Sequence, residues 1–265
     1  MKYKRQQLHI FLSLIATLSL LGCEKVIDLD LRNSDPAIVI YADITDQMEN
    51  QYVRITKTYD FTEPNKFNAV TGARVIVTTQ NGSVINYSEI TPGVYQSPRF
   101  GGRSGIKYSL DVTIDGTKYS AVSTMPGKVI LDSVNFREVS FFGKNSTHLV
   151  ANFKDPLGVQ NQYRYILSIQ GKVVEDLVSE DRFNDGNPVS NTIYHEMNDL
   201  ESGDVIELDL QCIDRTVYTY YFAFGQNMGG GGPPVAPANP PSNISNGALG
   251  IFSAHTSSKR TAKLR

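Results

Sequence analysis

The sequence predicts a mainly β fold, arranged as two consecutive β-sandwich-like domains with one short helix in the second. Three observations carry this. Short runs rich in Val, Ile, Thr, Tyr and Phe recur along the chain, separated by Gly, Pro, Asn and Asp, which favour turns. Within many runs apolar and polar residues alternate with a period of two, which puts successive side chains on opposite faces of a strand. Near the C-terminal end, residues 214–226 switch to the 3.6-residue period of a helix.

The first element belongs to neither domain. Lys2, Lys4 and Arg5 form a positive start, residues 9–21 an apolar run, and Leu20-Leu21-Gly22-Cys23 closes it. That order is a secretory signal ending in a lipobox: the charge holds the start in the cytoplasm, the apolar run enters the translocon, and small Gly22 suits cleavage before Cys23. The run falls short of the roughly 20 apolar residues of a membrane helix. Residues 1–22 are therefore expected to be a lipoprotein signal peptide, with Cys23 the first mature residue and the lipid carrier. Leu21 departs from the commonest small-residue pattern, and a secretory peptide cleaved elsewhere is the alternative. No later stretch is long and apolar enough to span a bilayer, so the lipid is expected to be the sole anchor.

From residue 23 to residue 126 the strand signals come at the spacing of an immunoglobulin-like sandwich. Val26-Ile27-Asp28-Leu29-Asp30-Leu31 alternates, which starts the domain a short tether from the lipid. After Asp35-Pro36, residues 37–44 are nearly all apolar, the pattern of a strand buried on both faces. Residues 52–58 alternate again, and a polar loop passes through Glu63-Pro64-Asn65. Residues 72–78 form a strand closed by Asn81-Gly82, which tolerate the positive φ of a hairpin turn. Pro92-Gly93 turns into Val94-Tyr95, Gly101-Gly102 and Gly105 make a loop, and residues 108–114 pair with 118–123 through Asp115-Gly116. Met125-Pro126-Gly127 then ends the sheet, since Pro lacks a ladder donor and Gly permits a bend.

The second domain is expected to span residues 127–265. Residues 130–140 and 148–153 read as strands, Asp155-Pro156-Leu157-Gly158 as a turn, and 162–170 as a strand with Tyr163, Tyr165, Leu167 and Ile169 on one side. Residues 179–190 read as a polar loop, and 204–213 return to alternation through Ile206, Leu208 and Leu210. Asp214 can cap a helix in which Val217, Tyr220, Tyr221 and Phe224 fall at i, i+3, i+4 and i+7. The aromatics between Tyr218 and Phe224 also suit a strand; helix is the reading adopted. The Pro/Gly-rich loop 229–241 cannot form a core element. Residues 248–255 supply a last strand, expected to return to the second sheet.

The chain carries 25 basic and 27 acidic residues. Loss of residues 1–22 removes Lys2, Lys4 and Arg5 and no acid, leaving 22 basic residues against 27 acidic and a formal charge of −5. Such a body lacks the clustered cations that neutralise phosphates, which argues against nucleic acid. With Cys23 taken by the lipobox, Cys212 has no partner for an intramolecular disulfide. Its neighbours Leu208, Leu210 and Ile213 mark a buried thiol; a nucleophile would need a base such as His195 or His255 beside it.

Around one turn, Asp181, Asn184, Asp185 and Asn187 with Gly186 offer oxygen ligands for calcium. Phe183 stands where the third position of an EF-hand loop needs an oxygen, so a plain Asp-Gly turn is the preferred reading. His148, His195 and His255 lie far apart with no metal-ligand spacing and are expected as strand or surface residues. The abundant tyrosines could build a binding face, but core-edge packing is preferred. No nucleophile elbow, P-loop or dinucleotide fingerprint appears, so neither a cofactor nor an enzyme is expected; a hydrolase with a dispersed site would need a cleft that joins His195 or His255 to carboxylates. Asp132-Ser133-Val134 resembles the Asp-Ser/Thr-aliphatic site at which exported Bacteroidota proteins are O-glycosylated, which makes Ser133 a modification candidate beside the plainer reading of a strand entry.

Several short motifs, in their order, resemble a known family. They are the lipobox with Cys23-Glu24-Lys25-Val26-Ile27-Asp28-Leu29-Asp30, then Val70-Thr71-Gly72-Ala73-Arg74-Val75, Gly93-Val94-Tyr95 and Gly105-Ile106-Lys107-Tyr108-Ser109-Leu110, and finally residues 240–252. Together they look like the lipoproteins catalogued as domain of unknown function 4249, with Ile251 standing where an aromatic is common. The resemblance implies a cell-envelope lipoprotein of Bacteroidota, anchored in the outer membrane through Cys23, working as accessory to a TonB-dependent receptor in nutrient capture or uptake. It carries over no catalytic or ligand residue. A stand-alone surface module for glycans or peptides is the alternative, and a motif-less hydrolase the third reading.

Overall fold

The computed structural model describes residue 3 and residues 36–59, 68–198, 200–227 and 239–263. Cys23, the strand expected from Val26 and most of loop 229–241 lie outside the described residues. Residues 36–265 make one compact unit. The mainly β class holds, with α1 (Arg215–Asn227) as the helix expected after Asp214.

The first half contains β1 (Ile38–Thr45), β2 (Tyr52–Lys57), β3 (Arg74–Thr79), β4 (Val84–Thr91), β5 (Val94–Gln96), β6 (Lys107–Ile114) and β7 (Thr117–Thr124). Alternation sends Ile40, Ala42 and Ile44 of β1, Val53 and Ile55 of β2, Val75 and Val77 of β3, and Leu110 and Val112 of β6 into one core. The sheet can enclose that core because β4 pairs with β3 along its first half and with β5 along its second, passing from one wall to the other at a bulge between Glu89 and Thr91. The β6–β7 hairpin closes on Asp115 and Gly116 at φ 47° and 81°, the two consecutive positive values of a type I′ turn.

The second half contains β8 (Leu131–Phe141), β9 (Lys144–Lys154), β10 (Gln162–Ile169), β11 (Lys172–Glu180), β12 (Pro188–Ile193), β13 (Val205–Ile213) and, after α1, β14 (Leu249–Lys263). β12, β9 and β8 form a three-stranded sheet. Its Leu131, Leu149, Ala151 and Phe153 share a second core with Tyr163, Tyr165 and Leu167 of β10 and with Leu208, Leu210 and Cys212 of β13.

Three expectations are corrected. The loop read at 179–190 shrinks to residues 181–187, because Ser179 and Glu180 pair with Tyr163 and Gln162, and Pro188–Ser190 pair with Lys154–Asn152. The last strand does more than return to the second sheet: Leu249–His255 pairs in parallel with Val39–Thr45, and Thr256–Lys263 pairs with Val205–Cys212. β14 therefore joins β1 to β13 in one eleven-stranded sheet. Finally, β1 is not apolar on both faces, since Tyr41, Asp43 and Thr45 point away from the core.

Candidate ligand-binding cleft

β10, β13, β14 and β1 lie side by side in that order. Their inward residues fill the two cores, so the alternate residues must share the opposite face. Those are Arg164 and Ile166 on β10, Asp209 and Gln211 on β13, His255 and Ser257 on β14, and Tyr41, Asp43 and Thr45 on β1, and they line a cleft of about 780 Å³. Lys128, paired with Asp46 at 2.7 Å, also lines it. α1 covers the neighbouring part of the same sheet face through Val217 and Tyr221.

A hydrogen-bond network fixes the floor. Arg164 donates through Nε and Nη2 to the two Asp176 oxygens at 2.7 and 2.6 Å, and its guanidinium carbon sits 3.7 Å from the Tyr221 ring centroid. Tyr221 is hydrogen-bonded to Tyr41 through their hydroxyls. Gln211 Nε2 donates to Asp209 Oδ2 at 3.0 Å, and Ser257 Oγ donates to Asp209 Oδ1 at 2.6 Å. Burial opposes the charge of Arg164, but the Asp176 carboxylate more than offsets it and raises the guanidinium pKa.

Two polar atoms stand outside this network. Asp43 Oδ1 and His255 Nε2 are both enclosed and have no hydrogen-bond partner among the described residues. His255 is 2% exposed, its Nδ1 lies 3.1 Å from Ser253 Oγ, and the same nitrogen is 4.0 Å from Asp43 Oδ1, too far for a direct hydrogen bond. Burial pushes the Asp43 carboxyl up to about 6, against the pull of Arg164 and Arg54. Burial, with Arg164 adding to it, pushes the His255 imidazole down to about 3, so it is neutral at physiological pH. An enclosed polar group without a partner costs on the order of 1–3 kcal/mol, so both atoms favour an arriving ligand that satisfies them.

The residues singled out in the sequence are distributed otherwise. Asp181 and Asp185 come together with Asp155, each offering a carboxylate oxygen within 4.8 Å of the others. Asp155 was not a candidate, because only the fold brings its turn against theirs. These carboxylates already brace two loops: Asp155 accepts from Tyr163 and from Gly186 N, Asp181 from Asn161 N at 2.9 Å, and Asp185 from Gly158 N at 2.6 Å. The backbone of Asn184 and Asn187 shapes the turn itself, and the Asn187 amide donates to the Asp185 carbonyl. Ser133 is exposed on β8, beside the bulge that follows Leu131. Cys212 is 1% exposed, and burial pushes its thiol up. His148 is buried between Ser146 Oγ and the His195 carbonyl, and His195 pairs with Glu175 at 2.9 Å. The signal that could have located the cleft is Asp43 inside an apolar run and Arg164 between Tyr163 and Tyr165: polar side chains on strands whose other face is core.

A family model described as Domain of unknown function (DUF4249) matches residues 24–261. No curated protein matches the chain. Among solved structures, the adhesin InvE of Yersinia pseudotuberculosis is similar at 18% identity, over 66% of this chain and 55% of its own, with a TM-score of 0.22. The chain thus spans about half the length of that structure, and so low a score carries no argument about fold or function. Among the described residues no helix is long and apolar enough to cross a membrane.

Proposed function

The chain belongs to the DUF4249 family, and from that premise we propose that it is a lipid-anchored outer-membrane binding protein of Bacteroidota that takes a small polar ligand into the sheet-face cleft and works beside a TonB-dependent receptor. The observation that carries the ligand-binding part is the pairing of a prebuilt floor with two enclosed, unsatisfied atoms, Asp43 Oδ1 and His255 Nε2. Of the five enclosed side-chain atoms without a partner among the described residues, these two belong to the cleft lining. The cleft volume falls in the range of about 300–1,000 Å³ usual for small-molecule sites. The lipobox supports the anchor.

His255 and Asp43 both line this cleft, with Ser253 buried beside His255, which meets the condition set above for a hydrolase. A Ser-His-Asp relay needs Ser and Asp on opposite ring nitrogens. Here Ser253 and Asp43 both face Nδ1. An imidazole pushed down to about 3 is also a weak base at neutral pH. Binding without turnover is the reading this geometry favours.

The receptor part is tested by affinity capture through a tag after Arg265 in mild detergent: a β-barrel receptor should co-purify, and its absence sinks the partnership. The anchor is tested by Cys23→Ser, which should move a folded protein from the membrane to the soluble fraction. A variant that stays with the membrane would show that the lipid on Cys23 is not what holds it.

A further inference from the structure

We infer that the ligand of this cleft is a neutral saccharide of one or two rings, with Asp43 and His255 gripping its hydroxyl groups. The inference rests on the reading of the cleft as a ligand site and adds the chemical class.

The first argument is charge. Arg164 is spent on Asp176 at 2.6 Å, Lys128 on Asp46 at 2.7 Å, and Lys259 on Glu207 at 3.1 Å. Arg260 donates to the backbone carbonyls of Asp132 and Lys259. Arg260 alone of these four lacks a carboxylate partner among the described residues, and an anion reaching the floor would still face Asp43 and Asp209. A cationic ligand would meet the positive field of Arg164 and Arg54, which already acts on Asp43. A neutral ligand avoids both penalties.

The second argument is donor and acceptor count. Asp43 Oδ1 only accepts, while a neutral imidazole donates at one nitrogen and accepts at the other. Nδ1 is already taken by Ser253 Oγ at 3.1 Å, so the ligand must meet Asp43 Oδ1 and His255 Nε2. A ligand that serves both atoms must donate to the carboxylate, and where Nε2 carries the proton it must also accept. A hydroxyl does both through one atom; an ammonium only donates and a carboxylate only accepts. A hydroxyl-rich ligand repeats the same chemistry along Ser257, Asp209 and Gln211, whose orientations are already fixed by their mutual bonds. Tyr41, Ile166 and Ile130 supply apolar surface for the C–H faces of a ring.

The third argument is against a peptide bound as an added strand. Extended peptides bind by adding to a free strand edge. The four strands under the cleft are internal, each paired on both sides.

The test uses the full-length chain in a detergent that has no sugar headgroup. Maltose, cellobiose, lactose, chitobiose and galactose are titrated by calorimetry and by the NMR shift of the His255 ring protons. Glucuronate, glucosamine and a glycine dipeptide serve as the charged and peptide probes. At least one neutral saccharide should bind and shift His255. Its affinity should fall about tenfold to a hundredfold in Asp43→Asn and His255→Gln, each having lost a hydrogen bond to the ligand. Glu138→Gln, an exposed change on β8, should leave it unaltered. The near-isosteric Asp43→Asn guards against a folding defect, and the His255 shift needs no variant at all. Binding of a charged probe or the dipeptide but of no neutral saccharide would overturn the saccharide class and leave the cleft reading standing. Saccharide binding untouched by both variants would place it elsewhere and overturn the proposal. Silence of the His255 resonances to every probe would overturn the proposal and the cleft reading together.

Discussion

Asp43 and His255 meet across the parallel β1–β14 pair, and burial drives their titrations in opposite directions. His255 falls from an ordinary 6.5 to about 3, so the unfolded chain takes up a proton there that the folded chain refuses. Its contribution to stability is present above about pH 6.5 and is lost as pH falls toward 3. Asp43 rises from 3.8 to about 6, so the folded chain keeps a proton that the unfolded chain releases. Its contribution is present below about pH 3.8 and is lost as pH rises through 6. Between these limits each state holds one proton on the pair and the two effects cancel. His255→Gln should therefore make stability fall with rising pH between about pH 4 and 6, and Asp43→Asn should make it rise. The change relative to the wild type approaches about 1.4 kcal/mol per pH unit in each case. Urea unfolding across that range measures it, and two variants that track the wild type would refute the account. None of this was legible in the sequence, where Asp43 is one polar residue in an apolar run and His255 follows an apolar stretch. Nothing local tells an inward imidazole from one that lines a cleft, because β1 and β10, which complete the lining, lie more than 80 residues away in sequence.

Elements were legible where one face is core and the other is not, as in β6, β10 and β13, because a period of two then shows in composition. β11 was missed: it is the edge of the large sheet, its side chains are exposed or half-buried on both faces, and a bulge shifts its register at Leu167 and Ser168 of its neighbour. The helix was found from its aromatic spacing and its cap. Asp214 Oδ1 accepts from Val217 N at 2.9 Å, as the motif requires. Its Oδ2 also accepts from Ser123 Oγ and Thr124 N, a tie to β7 that no local pattern could announce. Phe224 leaves the expected buried stripe and is exposed, stacked on Tyr220. β14 was recognised only in its apolar half, since the half that pairs with β13, Thr256–Lys263, is polar. Its join to β1 depends on Gly250. That residue has φ 96°, and a Cβ there would lie 2.0 Å from the Ile40 carbonyl oxygen, a backbone atom that cannot step aside. Gly250→Ala should cost roughly 3 kcal/mol or more, whereas Gly127→Ala, with open space around it and no positive φ, should stay within about 0.5 kcal/mol of the wild type. Equal denaturation midpoints for the two variants would show that β14 does not press on β1 as described.

At the scale of the molecule, the residues Met125-Pro126-Gly127 fall between two cores, with Met125 packed in the first and Val129 in the second. The last strand then couples what those residues separate. Phe252 and Ala254 belong to the first core, and from Thr256 onward the same strand is hydrogen-bonded to β13, which walls the second. Separating the halves would leave β1 and β13 with bare edges and open both cores, so the two should unfold in one transition. Thiol labelling in urea can follow each core separately. Cys212 reports the second, since its buried thiol stays unreactive until the core opens. Val77→Cys in a Cys212→Ala background reports the first from a residue that is 0% exposed. The two labelling midpoints should coincide once each is corrected for its own variant's stability. Adding Gly250→Ala should then lower both by the same free energy, because that glycine sits where the strand common to both halves begins. Loss of protection at residue 77 alone would mean that the first core opens independently and that β14 merely rests against it.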